Sequence, residues 1–276
     1  ITSIVFGIGP RINAAGRIAH AKAAVELLLS TTDTEAIALA KGIESKNTMR
    51  RDFDLNITQE ALDLIESDEK LRNARSTVLF KHGWHKGVIG IVASRCIEKY
   101  HRPTIILTES NNKATGSARS VNGFDVYQAI AKCSEYLEQF GGHAFAAGLT
   151  LDLDKVEPFR QRFEEVVAES IEDEQLIPQE QIDLDLHLQQ VDWKFQRILK
   201  QMAPFGPGNM KPVFGSKEVF AASRPRVLKE VHLKMYVKQE GMDQGLPAIG
   251  FGMADYFEMI SSGMRFHLAY TIEENN

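Results

Sequence analysis

Hydrophobic positions in the first third of the chain recur with helical spacing. Thr32, followed three residues later by Glu35, fits a capping box, and Ile37, Ala40, Ile43, Phe53, Ile57, Ala61 and Leu64 recur at roughly helical spacing. The spacing predicts one or two long helices over about 34–68. The middle of that stretch, ESKNTMRRD, is polar on nearly all sides, which suits a helix bridging two domains better than one packed into a core. Unbroken, it would be a rigid strut about 50 Å long at ~1.5 Å per residue. From Ser76 the pattern changes to short apolar runs alternating with amphipathic helices. The runs STVLF, PTIILT, ATGSARS and FAAGLTLDL have strand character. The segments GVIGIVASRCIEKY, FDVYQAIAKCSEYLEQF and Val156 to about Ser170 have helical character. This βαββαβα order predicts a compact α/β domain of about 100 residues.

An acidic stretch, ESIEDEQ, followed by Pro178, marks a linker. Beyond it QIDLDLHL alternates as a strand, VDWKFQRILKQMAPF forms a short amphipathic helix, and several short strands separated by glycine turns follow. The predicted architecture is an α/β domain plus a mostly-β, OB-like domain, preceded by a long connecting helix.

Composition narrows the class. At 276 residues, 43% hydrophobic and 25% charged, the chain is long enough and apolar enough for two folded domains. No apolar run approaches the roughly 20 residues of a membrane span, and the N-terminus has no signal-peptide pattern, so a soluble, cytoplasmic protein is expected. Cys96 and Cys133 lack a CxxC spacing and are expected to be small buried hydrophobes. A net charge of −5 argues against coating nucleic acid over the whole surface, so phosphate contacts must come from local patches. The chain opens at Ile1 on an apolar run closing in a glycine turn, without an initiator methionine, and is expected to be a segment of a larger protein.

Five constellations bear candidate chemistry. Gly9 to Arg17, GPRINAAGR, is a glycine-bounded loop with Arg11 and Arg17 leading into a helix. It would suit phosphate binding, and would equally suit an ordinary strand-to-helix turn. Ser117 and Arg119 lie two apart at a strand end and therefore share a face, a cradle for a terminal phosphate or simply solvated polar residues. In GGHAFAAG, Gly141 and Gly142 frame His143, and the small residues would let a nucleic-acid backbone or another strand come close. His82 and His85 flank Trp84 ahead of a helix, without a neighbouring carboxylate or cysteine to complete a zinc site. A phosphate-facing or packing loop with a buried indole is expected there. Asp183, Asp185 and His187 would share one strand face in a pattern fit for manganese or magnesium. The opposing Ile182, Leu184, Leu186 and Leu188 give the apolar face any half-buried edge strand needs.

Taken in order, GPRINAAGR, GWHKGVIGIVASR, HRPTIILT, SARSVNGFD, GGHAFAAG and APFGPGN-KPVF resemble the RecJ proteins of the DHH phosphoesterase superfamily over nearly the whole chain. GGHAFAAG marks only the superfamily, being shared with small-nucleotide phosphatases and alanyl-tRNA synthetases, whereas GPRINAAGR with APFGPGN is more particular. The resemblance implies that residues 1–30 are the tail of a DHH catalytic domain, 31–70 the connecting helix, 71–175 a DHHA1 domain and 176–276 an OB-like domain whose barrel is expected to be incomplete. It implies 5′→3′ hydrolysis of single-stranded DNA, in repair and recombination, by two Mn2+ or Mg2+ ions. No counterpart of the metal-holding aspartate motifs occurs in these residues, so the chain alone is expected to bind no metal and to be inactive. Arg11, Ser117 and Arg119 would bind the 5′-phosphate, and Arg17, His85, Gly142 and His143 would contact DNA. In the last domain Lys211, Lys217, Arg224, Arg226, Lys229, Lys234 and Lys238 are interleaved with Phe214, Phe220 and Tyr236, a device for strand binding or a solvated barrel surface. Lys211, Arg224, Arg226 and Lys234 are the expected contacts. Single-stranded DNA is the implied partner, with a single-strand-binding protein and a helicase as candidate protein partners and no membrane. A nucleic-acid-binding module, RNA-directed as in the synthetase branch, and a small-nucleotide phosphatase are the competing readings.

Overall fold

A computed structural model describes residues 3–274, and the chain divides into two compact units, 1–178 and 179–276. The first unit begins with a π-helical turn, Ser3–Ile8, that runs into helix α1, Gly9–Ile18. GPRINAAGR is therefore mostly helix, not the loop expected from its glycines. Pro10 stands in the first turn of α1, and Ala14 and Ala15 bury the inner face.

Helices α2, Lys22–Leu29, and α3, Asp33–Ser67, follow; α3 is a single helix of 35 residues. Thr32 Oγ1 accepts the N–H of Glu35 at 3.4 Å, so Thr32 caps the helix, though the return bond to the Glu35 side chain that would complete the predicted capping box is not formed. The helix is packed, however, and is not a free strut. Ile43 lies against Ala15 and Ala24 of the two preceding helices; in the polar middle Asn47 is buried, at 1% exposed, while Ser45, Thr48, Met49, Arg51 and Asp52 face solvent, and Asp54 just beyond it is 7% exposed. Arg50 makes that burial tolerable by donating to Asn47 Oδ1 at 3.1 Å and pairing with Asp54 at 3.5 Å. Partners three and four residues away on the same helix thus serve Asn47 Oδ1 and Asp54, whereas Asn47 Nδ2 is buried without a hydrogen-bond partner among the described residues.

After a short helix α4, Glu69–Asn73, come strand β1, Thr77–Phe80, helix α5, Ile89–Tyr100, and strands β2, Thr104–Ser110, and β3, Lys113–Arg119. Helix α6, Val126–Ala131, strands β4, Gln139–His143, and β5, Ala146–Leu151, and helix α7, Val156–Ser170, complete the unit. The five-stranded sheet has the order β1-β2-β3-β5-β4, with β1 and β2 parallel and the remaining pairs antiparallel. Strand β2 is buried on both faces, as its unbroken apolar run requires. Ile106 packs with Ile57, Ala61 and Ile65 of α3 and Val92 of α5, whereas Ile105 and Leu107 pack with Phe159 and Phe163 of α7.

The predicted helix FDVYQAIAKCSEYLEQF is realised only in part. Asp125 caps α6 by accepting Gln128 N–H at 3.0 Å, the helix stops at Ala131, and Gln139 onward pairs with β5 as an extra strand. Gly141 and Gly142 disfavour helix, and cross-strand pairing takes over. Gly142 has φ +152°, and a Cβ there would lie 2.3 Å from the carbonyl oxygen of Ala146, so this glycine is demanded by the close approach of β5. Cys96 and Cys133 are both fully buried, as expected; burial pushes their thiols up to about 12 and about 11.

In the second unit strand β6, Leu184–Asp185, leads through a 3-10 turn to helix α8, Trp193–Gln201. Strands β7, Phe214–Ala221, β8, Arg226–Leu228, β9, His232–Lys238, and β10, Leu246–Gly250, then helix α9, Phe257–Ser261, and strand β11, Phe266–Tyr270, follow. The sheet has the order β10-β9-β7-β11, with β6 added on β7 and β8 on β9. Leu188, Val219, Leu233, Met235, Val237 and Ile260 form its core. Buried Gln239 ties it together, accepting Leu188 N–H and donating to Lys217 O, both at 2.6 Å. QIDLDLHL pairs over two residues only, which corrects the longer strand expected. Ile182 and Leu184 remain 38% and 51% exposed, and His187 caps the 3-10 turn instead of extending the strand.

Candidate nucleic-acid interface

Strand β3 alternates sharply. Ala114 and Ala118 enter the core, while Thr115, Ser117 and Arg119 line the opposite face, against the first turn of α5. Gly90 stands at that contact. A Cβ on it would lie 2.7 Å from Arg119 Nη2 and 2.9 Å from Ser117 Oγ, so the glycine makes room for both polar side chains. Arg119 Nη1 donates to Ser117 Oγ at 3.0 Å and to Ala118 O at 2.7 Å, which fixes the guanidinium beside the serine.

A third element reaches the same place. Arg17, at the end of α1, donates from Nη1 to Gly87 O at 3.1 Å, and a Cβ on Gly87 would come within 2.1 Å of Arg17 O. Together these residues line a cleft of about 440 Å3 with Gly16, His85, Lys86, Gly87, Gly90, Ser117 and Arg119 on its walls. Among the described residues no side chain caps the N-terminus of α5, and the N–H groups of its first two residues, Ile89 and Gly90, together with the helix dipole add positive character. Among the described residues no carboxylate pairs with either arginine. Burial, and then the like charge of Arg17, hold the Arg119 guanidinium below its ordinary pKa, the mark of a cation short of an anionic partner.

His85 is held in place twice. Its ring stacks on Phe53 of α3, with centroids 5.0 Å apart, and Nδ1 accepts Gly87 N–H at 3.1 Å. With Nδ1 accepting, the neutral ring carries its proton on Nε2 as a donor. The neighbouring Trp84 is buried, as expected, and its indole donates to Glu60 Oε2 at 2.8 Å; Lys81 Nζ meets the same oxygen at 2.7 Å. Farther along α3, Glu66 accepts from Tyr100 at 2.7 Å and pairs with Lys99 at 2.9 Å.

Arg11 is not brought to this cleft. It lies six residues before Arg17, a turn of about 240° around the helix, so the two arginines face different ways. Arg11 donates to Gly7 O at 2.7 Å and pairs with Glu44 of α3, whose carboxyl is held below the usual range chiefly by that hydrogen bond. His143 lies on the row Arg119, Ala146, His143 across β3, β5 and β4, roughly 10 Å from Arg119 at the ~4.8 Å strand spacing. The adjacent row is Ser117, Gly148, Gly141, so this side of β5 and β4 carries little more than hydrogen and methyl groups and is open to solvent. Gly142 points away from that row and serves the strand pairing. Lys86 and Gly87, in the loop expected to face phosphate or to pack, line the cleft together with Gly90, which the sequence did not single out; the one signal for Gly90 is a glycine in the first turn of a helix, where it lowers helix propensity.

In the second unit the outward side of β9 carries Lys234 and Tyr236, with Arg226 of β8 directly opposite Lys234 and Ile249 of β10 on its other flank. Arg224 lies over the Phe257 ring at 5.8 Å, Lys238 and Arg265 over Phe220 at 5.5 and 5.7 Å, and Lys211 pairs with Glu273. Phe214, expected among the exposed aromatics, is 3% exposed and packs on Phe195 and Tyr270, and so is a core residue. Asp183 accepts Val213 N–H at 2.8 Å and Asp185 pairs with Lys217 at 3.2 Å. Those two side chains and His187 face separate partners, and among the described residues no group of three or more His, Cys, Asp or Glu is placed to hold a metal ion. No helix of the described residues is long and apolar enough to cross a membrane.

Comparison with known proteins gives two domain matches, the DHHA1 domain over residues 73–169 and the RecJ OB domain over residues 182–276. The single-stranded-DNA-specific exonuclease RecJ of Bacillus subtilis is 34% identical over 269 residues, 96% of this chain and 34% of that protein. The Escherichia coli protein of the same name is 33% identical over 281 residues, 98% of this chain and 48% of its own length. The chain thus spans about a third to a half of these relatives. A crystal structure of RecJ from Thermus thermophilus in complex with Mn2+ superposes with a TM-score of 0.83 at 27% identity, over 99% of this chain and 39% of that one. A structure of the same protein in complex with Mg2+ gives 0.81.

Proposed function

The chain belongs to the RecJ family, and on that premise we propose that it is the strand-holding part of a single-stranded-DNA exonuclease, with the cleft between α1, α5 and β3 taking the 5′-terminal phosphate. The convergence of Arg119, Arg17 and Ser117 on the uncapped start of α5, with no carboxylate among them, carries this reading. A phosphate monoester would receive two guanidinium donors, the Ser117 hydroxyl and the helix N–H groups, and His85 and Lys86 would meet the next phosphate. The small-residue rows leading to His143 would let the strand lie flat on the sheet. The basic and aromatic side of β9 would hold the remainder by phosphate contact and stacking, without regard to sequence.

Related RecJ structures hold Mn2+ or Mg2+, and the described residues offer no group fit for such an ion, so hydrolysis would fall to ligands outside them. This chain's share is alignment. With the first phosphate clamped, the first phosphodiester lies at a fixed offset, which gives 5′→3′ polarity and single-nucleotide steps. On its own the chain would bind without cutting. It would act in the cytoplasm on strands exposed by a helicase and passed on by a single-strand-binding protein.

The test compares 5′-phosphorylated with 5′-hydroxyl oligonucleotides by fluorescence anisotropy. The intact chain should prefer the phosphorylated strand by about tenfold or more, and Arg119→Ala should erase the preference. An unchanged preference in that variant would remove the assignment of the cleft.

A further inference from the structure

We propose that the outer face of α8 is a second contact for single-stranded nucleic acid, with Trp193 as a base-stacking platform and Lys194 and Arg197 as its phosphate contacts. The inference rests on the single-stranded-DNA reading above and adds a site outside both the cleft and the β9 face. Helix α8 packs inward through Phe195, whose ring lies 5.5 Å from Phe214, and through Leu199. Trp193 points the other way and is 80% exposed. Packing does not explain it, because an indole left in water forgoes the large burial that makes tryptophan useful in a core.

The charges around it are selective. Arg197 stands one turn beyond Trp193 on the same side, and Lys194, about 100° around the helix from Trp193 and one turn from Arg197, borders that side. Both are exposed and neither forms an ion pair with a described residue. Lys200 and Lys211, by contrast, are neutralised by Glu274 and Glu273. An exposed π-face bordered by two free cations is complementary to an unpaired base with phosphates on either side, and duplex DNA keeps its bases out of reach of such a ring.

The chain has two tryptophans, and Trp84 is buried, so emission at the long-wavelength edge reports Trp193. Titration of the intact chain with a short oligodeoxythymidylate should quench that emission. Trp193→Ala should weaken binding about tenfold and Trp193→Phe should restore most of the loss. Lys194→Ala and Arg197→Ala should each reduce the slope of log affinity against log salt by about 0.7. Binding that leaves the emission unchanged, or an affinity unaltered in Trp193→Ala, overturns the α8 site while the cleft stands. Quenching by a duplex as strong as by the single strand also overturns it. If the intact chain binds no oligonucleotide, this inference and the reading beneath it fail together.

Discussion

The cleft of the first unit and the basic face of the second both present cations, and they present them in opposite ways. Arg119 is half-buried, tied to Ser117 and Ala118, and shaped around by Gly90, so its geometry is set before any ligand arrives. Lys234 and Arg226 stand opposite one another on an open sheet, free to turn, beside the exposed ring of Tyr236. A pre-set guanidinium discriminates between ligands, because a misplaced anion leaves it desolvated and unmatched. A mobile cation in water supplies attraction with little preference. On the proposed reading, recognition of a strand's end and retention of the strand would fall to these two different arrangements.

Charge reversal should separate the two most strongly. Arg119→Glu should weaken binding of a 5′-phosphorylated strand at least a hundredfold, equivalent to about 3 kcal/mol, whereas Lys234→Glu should weaken it only several-fold; anisotropy titrations at one salt concentration decide the ratio. A smaller change sharpens the point. Gly90→Ala should leave thermal stability nearly intact, since the added methyl meets only the ends of two side chains, yet lower the preference for a 5′-phosphate about fivefold by pushing Arg119 and Ser117 apart. The smallest effect belongs to the open face. Arg226→Ala with Lys234→Ala should reduce the salt slope by about 1.4 in total and leave the 5′-phosphate preference as it was.

Much of this was legible in the chain before folding was considered. The 33–67 helix, strand β3 and the helix from Val156 follow from periodicity and caps, and the pairing of Ser117 with Arg119 follows from the two-residue repeat of a strand. What escaped depends on where the chain returns on itself. The choice of Arg17 over Arg11 is decided by helical phase once GPRINAAGR is known to be helix, and its glycines argued for a loop. Gly90 reveals its purpose only when β3 is laid against α5. Phe53 looked like one more apolar position on a helix, and its partner His85 lies beyond the end of that helix. The segment 132–140 kept a helix-like pattern but breaks into the 3-10 turn Ser134–Tyr136 and the start of β4, which pairs with β5.

Helix α3 carries a further consequence through its ties at Glu44, Phe53, Glu60 and Glu66 to α1, the His85 loop and α5. A helix neither stretches nor slips, so the interval between these ties is counted in residues. One residue inserted between Glu44 and Phe53 would swing everything beyond it by about 100° and strip one tie of its mate. Seven would restore the facing but displace it by about 10 Å. The length of this rod is thereby as much a specified quantity as any side chain in the cleft it braces.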